Sequence, residues 1–91
     1  MKKHVAIEIS GFVQGVFFRY HAKEFAETIG VTGWVRNQDD GSVHIEAEGD
    51  EEQLNRLIAW CGHGPRGASV DKVETSYSPT LQQYSGFKIT Y

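Results

Sequence analysis

The chain has 91 residues, 12 acidic against 9 basic, for a net charge of −3. That length supports one modest core, and the acidic balance disfavours generic nucleic-acid binding. No apolar run is long enough to span a bilayer, Met1-Lys2-Lys3-His4 leads into a strand pattern rather than a signal-peptide core, and the single Cys61 rules out an intrachain disulfide. A single domain over residues 1–91, a cytoplasmic location and no membrane association are the expectations.

Val5, Ile7 and Ile9 alternate with His4, Ala6, Glu8 and Ser10, as in a strand with one face turned inward. A glycine-bearing stretch from Gly11 to Arg19 follows. Phe18, Ala22, Phe25, Ala26 and Ile29 then recur at helical spacing, with Lys23, Glu24, Glu27 and Thr28 on the wet side. Gly30 stands where a left-handed residue closes such a helix. Residues Val31 to Asn37 read as a second strand, with Val31, Gly33 and Val35 on one face and Thr32, Trp34 and Arg36 on the other. Asp39-Asp40-Gly41-Ser42 is a hairpin turn. The return strand sets Val43, Ile45 and Ala47 inward and His44, Glu46 and Glu48 outward, so strands two and three pair antiparallel.

Asp50 caps a second helix, and Gln53 stands at the reciprocal position of a capping box. Leu54, Leu57, Ile58 and Cys61 form its apolar stripe, flanked by Trp60, and Gly62-His63-Gly64-Pro65 ends it. Ser69 to Tyr77 is a fourth strand in which Val70 and Val73 fall out of phase, which implies a bulge or a bend. Ser78 to Ser85 is a loop, and Phe87, Ile89 and Tyr91 alternate in a final strand. The predicted fold class is therefore α+β: a ferredoxin-like βαββαβ sandwich, two helices on one face of a mostly antiparallel sheet, with an extra C-terminal strand.

Topology of this kind hosts many functions, so the site must be argued from residues. The strands expected to be central lack exposed aromatics for RNA stacking, and no Cys-x-x-Cys pair is present. His4, His21, His44 and His63 are scattered without ligand spacing, so no metal and no cofactor are expected. His21 reads as a solvated helix residue and Cys61 as a small apolar one.

The candidate site is Gly11-Phe12-Val13-Gln14-Gly15-Val16-Phe17-Phe18-Arg19. It joins a strand to a helix, carries two glycines and closes on a guanidinium in the first helical turn. Free backbone N–H groups, the positive end of a helix dipole and a planar fork together suit a phosphate or carboxylate. Taken alone, the spacing also fits an ordinary strand–helix connection with a solvated arginine. It contains neither Gly-Lys-Ser/Thr nor G-x-G-x-x-G, and Val13 stands where a cysteine-dependent phosphatase needs its Cys. No side chain of the loop is a covalent nucleophile for phosphate. The second candidate is Asn37, before the hairpin turn. An asparagine there either caps the turn or, held near a phosphate, directs a water molecule, since a carboxamide both donates and accepts.

Ile9 to Arg19 resembles the first signature of the acylphosphatases, and Gly33-Trp34-Val35-Arg36-Asn37-Gln38-Asp39-Asp40-Gly41-Ser42-Val43, running on to Gly49, resembles the second. Both match without a gap and in the right order. Length, the βαββαβ order and the Gly64-Pro65 loop extend the similarity over nearly the whole chain. The resemblance implies hydrolysis of a carboxylic–phosphoric mixed anhydride to carboxylate and inorganic phosphate, with no metal and no phosphoenzyme. It implies that Arg19 binds phosphate, that Asn37 positions water, and that the backbone amides of Val13, Gln14, Gly15, Val16, Phe17 and Phe18 form the cradle.

A small-molecule acyl phosphate is the expected substrate, inorganic phosphate or sulfate the expected bound anion, and a stand-alone monomer the expected form. The alternatives are a non-catalytic anion-binding module and a domain that handles carbamoyl phosphate, as in hydrogenase-maturation carbamoyltransferases. Nothing in the sequence reads the acyl group.

Overall fold

The structure is a computed structural model describing residues 1–91. Its elements are β1 (Lys2–Phe12), α1 (Phe18–Ile29), β2 (Thr32–Asn37), β3 (Val43–Asp50), α2 (Glu51–Cys61), β4 (Ser69–Ser78) and β5 (Phe87–Ile89). The sheet runs β4-β1-β3-β2-β5, antiparallel except for the β2–β5 pair. The helices cover one face, in the ferredoxin-like arrangement expected from the sequence.

The alternating residues meet the helices. Val5, Ile7, Ile9, Val35, Val43, Ile45 and Ala47 are fully buried beneath Phe18, Ala22, Ala26, Leu54, Leu57 and Cys61. Trp60 joins the helices, stacked on Phe25 at 5.8 Å and edge-on to Phe18 at 5.2 Å. Burial of such side chains stabilises by roughly 1.5–3 kcal/mol each. Gly30 closes α1 at φ 83°, its N–H bonded to the Glu27 carbonyl at 3.2 Å. Burial at Cys61 pushes its thiol up to about 12, so it behaves as a small hydrophobe. No helix is long and apolar enough to cross a membrane.

Several details depart from the sequence reading. β1 continues through Gly11 and Phe12, which pair with Val70 and Ser69, so the connection to α1 is only Val13–Phe17. The bulge expected in the fourth strand is present: Ser10 pairs with Lys72 and Gly11 with Val70, leaving Asp71 over. Gly11 sits there at φ 127°, and a Cβ would meet the Ser69 carbonyl oxygen at 2.3 Å. Only glycine fits. Tyr91, expected in the final strand, lies beyond β5.

His4 and Glu48, expected outward and wet, are 6% and 3% exposed. The segment between β4 and β5 crosses the outer face and covers them. The Gln82 and Gln83 N–H groups donate to Glu48 at 2.5 and 2.9 Å, and the Tyr84 ring lies 5.9 Å from His4. Alternation assigns a side chain to a face; a loop folding back decides whether that face meets water.

Candidate active site

The α1 N-terminus is built to stay open. Its N-cap is Phe17, an apolar residue at φ 62°, with no side-chain cap and no acidic residue in the first turn. The first helical hydrogen bond runs from His21 N–H to the Phe17 carbonyl at 3.1 Å. No backbone N–H from Val13 to Phe17 donates within the chain. By contrast, α2 is closed by the Asp50–Gln53 capping box, with Gln53 Oε1 accepting from Asp50 N–H at 2.9 Å, and Glu51 and Glu52 offset its dipole. One helix has its positive end neutralised by its own sequence; the other leaves it unmatched for an external anion.

Left-handed geometry turns the loop. Gly15 adopts φ 78° at no steric cost, whereas Phe17 adopts φ 62° as a non-glycine residue, which costs on the order of 1 kcal/mol. The flanking side chains hold the turn in place. Val13 and Phe18 are buried in the core, Val16 packs against it, and Phe17 projects outward at 76% exposure. The four apolar side chains of this loop thus divide between anchoring the backbone and lining the opening.

An open cavity of about 440 Å³ forms over the loop, with Val13, Gly15, Phe18, Arg19 and Asn37 among its lining residues. Arg19 and Asn37, 18 residues apart in the chain, are thereby brought to one place. Although β1 and β2 are not neighbours, the C-terminal end of β2 and the first turn of α1 open onto the same cavity. Arg19 has no carboxylate or hydrogen-bond partner in the chain; its guanidinium carbon lies 4.8 Å over the Tyr91 ring. Phe17, Tyr20, Ile89 and Tyr91 supply an apolar wall beside it. His21 faces elsewhere, 3.5 Å from Glu24, in a groove with Trp60 and Arg66.

Sequence reasoning missed two contributors. Gln14 was expected to serve through its backbone amide. Its side chain also donates to the Gln38 and Ser42 carbonyls at 2.8 and 3.0 Å, tying the loop to the hairpin that follows Asn37. A carboxamide between two glycines is a weak signal of such a strap. Tyr91 gave no signal, because its place over Arg19 depends on the parallel β2–β5 register, extended by Thr90 N–H donating to the Val35 carbonyl at 2.8 Å.

A sequence model of the family described as Acylphosphatase matches residues 5–89. The acylphosphatase of Pelotomaculum thermopropionicum is 42% identical over 85 residues, 93% of this chain and 92% of that protein. The crystal structure of acylphosphatase from Bacillus subtilis matches over the whole of both chains with a TM-score of 0.95 at 35% identity. Full-length HypF, solved in a phosphate- and nucleotide-bound form, matches with a TM-score of 0.88 at 26% identity, the present chain covering 12% of it. Agreement of this kind in sequence and in backbone, over nearly every residue, means that the chain belongs to the acylphosphatase family.

Proposed function

We propose that residues 1–91 form one catalytic domain that hydrolyses acyl phosphates, binding phosphate on the Val13–Phe18 amides and Arg19 and directing water with Asn37. Family membership supports acyl-phosphate hydrolysis by a small-molecule enzyme. The observation that carries the residue roles is the shared cavity: an uncapped helix N-terminus, an unpaired guanidinium and a carboxamide all open onto it.

The chemistry follows from those groups. Phosphoryl transfer spreads charge over the equatorial oxygens, so catalysis is largely positioning and electrostatic stabilisation. Converging N–H groups and the planar Arg19 fork supply positive charge without a metal. The water oxygen, oriented by Asn37, bonds to phosphorus as the bond from phosphorus to the acyl oxygen breaks. The leaving group departs as carboxylate with the electron pair, and the water proton passes to a phosphate oxygen. Neutral Asn37 is no strong base, and no side chain forms a phosphoenzyme. This arrangement suffices for a carboxylate leaving group and not for an alkoxide. The apolar wall of Phe17, Tyr20, Ile89 and Tyr91 is suited to receive the acyl part. A cytoplasmic, monomeric enzyme that needs neither membrane nor nucleic acid is the matching form.

The test is turnover of acetyl, benzoyl, carbamoyl and p-nitrophenyl phosphates with and without EDTA. The first two are hydrolysed equally well in EDTA, p-nitrophenyl phosphate is spared, and benzoyl phosphate has the lower KM, by roughly tenfold if its ring buries about 50 Å². Activity abolished by EDTA and restored by magnesium overturns the metal-free mechanism. Selective turnover of carbamoyl phosphate favours the rival substrate, and no acyl-phosphate turnover at all favours a non-catalytic anion-binding module.

A further inference from the structure

Between Val13 and Phe18, Gln14 carries the only polar side chain, and the backbone N–H groups of Val13 to Phe17 donate to nothing within the chain. The ends of this loop are fastened by packing, because Val13 and Phe18 are buried. Its middle is not. Nothing lies within 4 Å of the position a Cβ on Gly15 would take, and the Phe17 side chain projects into solvent. A backbone that keeps its amides unpaired for an anion gives up the ladder and helix bonds that ordinarily hold a chain in shape. Another contact has to fix it, or the loop must be ordered anew each time an anion binds.

Gln14 supplies such a contact. Both hydrogens of its half-buried Nε2 are used, one donated to the Gln38 carbonyl at 2.8 Å and the other to the Ser42 carbonyl at 3.0 Å. Those carbonyls stand at the two ends of the turn between β2 and β3. Gln38 N–H donates to the Ser42 carbonyl at 2.9 Å and Gly41 N–H to the Gln38 carbonyl at 3.1 Å. Each oxygen thus has one lone pair taken by the turn and the other by Gln14. The anchor is itself braced. Asp40 accepts from Ser42 N–H at 3.0 Å and from Ser42 Oγ at 2.6 Å, and Gln38 Nε2 donates to Ser42 Oγ at 2.9 Å.

We infer that Gln14 is a positioning residue for phosphate binding, its carboxamide holding the centre of the loop to the β2–β3 turn so that the amide cradle is formed before the anion arrives. The inference rests on the assignment of the Val13–Phe18 amides to phosphate. Loss of the two donors leaves every cradle amide in the sequence but spreads the loop over several conformations. Only a fraction of molecules then presents a finished cradle, and affinity falls by that fraction. The loss is common to every ligand that carries the phosphate and is indifferent to the acyl group.

The experiment compares wild type with Gln14→Met, which keeps the neutral charge and approximate length while removing both donors, and with Gln14→Ala. It reads nitrogen-15 relaxation of the ligand-free backbone, inorganic phosphate affinity by calorimetry, kcat and KM for acetyl and benzoyl phosphates, and the melting temperature. In both variants the Gly15, Val16 and Phe17 amides are expected to gain motion while those of β1 and α1 do not. Phosphate affinity is expected to fall by about tenfold, the scale of losing two neutral hydrogen bonds, and kcat/KM to fall by the same factor for both substrates. A strap that only stabilises the fold lowers the melting temperature and leaves phosphate affinity unchanged. That result, unchanged loop motion in both variants, or a loss confined to benzoyl phosphate overturns the proposal. Wild type that binds no phosphate removes the cradle assignment and the proposal with it. If wild type binds phosphate but turns over no acyl phosphate, and affinity still falls in Gln14→Met, the hydrolytic reading fails and the tether stands.

Discussion

Arg19 and Asn37 open onto one cavity yet are assigned different work, and the difference can be measured. An arginine that holds phosphate in both ground and transition states acts on binding and turnover together. Arg19→Ala is therefore expected to lose phosphate-induced stabilisation and activity in parallel, with the helix intact because alanine is a good helix former. Arg19→Lys is expected to be nearly as poor, since an ammonium cannot make the paired planar contact. Calorimetry with phosphate and a turnover assay on each variant check this; a Lys variant of wild-type activity contradicts the bidentate role. Both residues stood out in the sequence as candidates, because a guanidinium after a glycine-bearing loop and an asparagine at a strand end are each local patterns. Gln14 as a strap and Tyr91 over Arg19 were not. Each depends on which distant backbone groups arrive beside it.

Helix termini and strand faces differ in how far local pattern reaches. The α2 capping box could be read from Asp50 and Gln53, whereas the open end of α1 shows itself through the positive φ of Phe17, a residue that propensity does not place there. Inward strand positions followed alternation faithfully. The outward ones did not, because the segment carrying Gln82, Gln83 and Tyr84 folds over them. That cover has a pH consequence. Burial alone disfavours the charged form of His4, but the hydrogen bonds to Glu48 and Glu46 outweigh it and raise the group above its ordinary 6.5. Burial likewise disfavours charge on Glu48, yet the Gln82 N–H, His4 and the Gln83 N–H hold it below its ordinary 4.5. The His4 contribution is complete below pH 6.5 and is lost as pH rises through the raised value; the Glu48 contribution is complete above 4.5 and is lost on acidification. Stability from these two groups is thus greatest between pH 4.5 and 6.5. Urea midpoints across pH are expected to decline on the alkaline side for wild type and to flatten there for His4→Gln; identical profiles contradict the assignment.

At the scale of the whole molecule, the chain is acidic, with a net charge of −3. On the proposed assignment, anion affinity comes from the loop amides and Arg19 rather than from long-range attraction. Inorganic phosphate at ten times its dissociation constant is expected to stabilise the folded state by about 1.4 kcal/mol. Sulfate is expected to do the same, and chloride at equal ionic strength is not. Equal shifts with chloride indicate general screening and no specific site. The strand and helix order, the inward core and the family resemblance were all present in the sequence, since each is written in short-range periodicity or contiguous motif. The cover laid over His4 and Glu48 by the segment between β4 and β5 was not, because non-local contact leaves no such trace. The decisive measurement is the turnover of benzoyl phosphate by folded Asn37→Ala, assayed well below its melting temperature beside its phosphate-induced melting shift. If Asn37 directs the attacking water, kcat falls by about a hundredfold or more while the phosphate shift is retained. Wild-type turnover in that variant contradicts the water-positioning role.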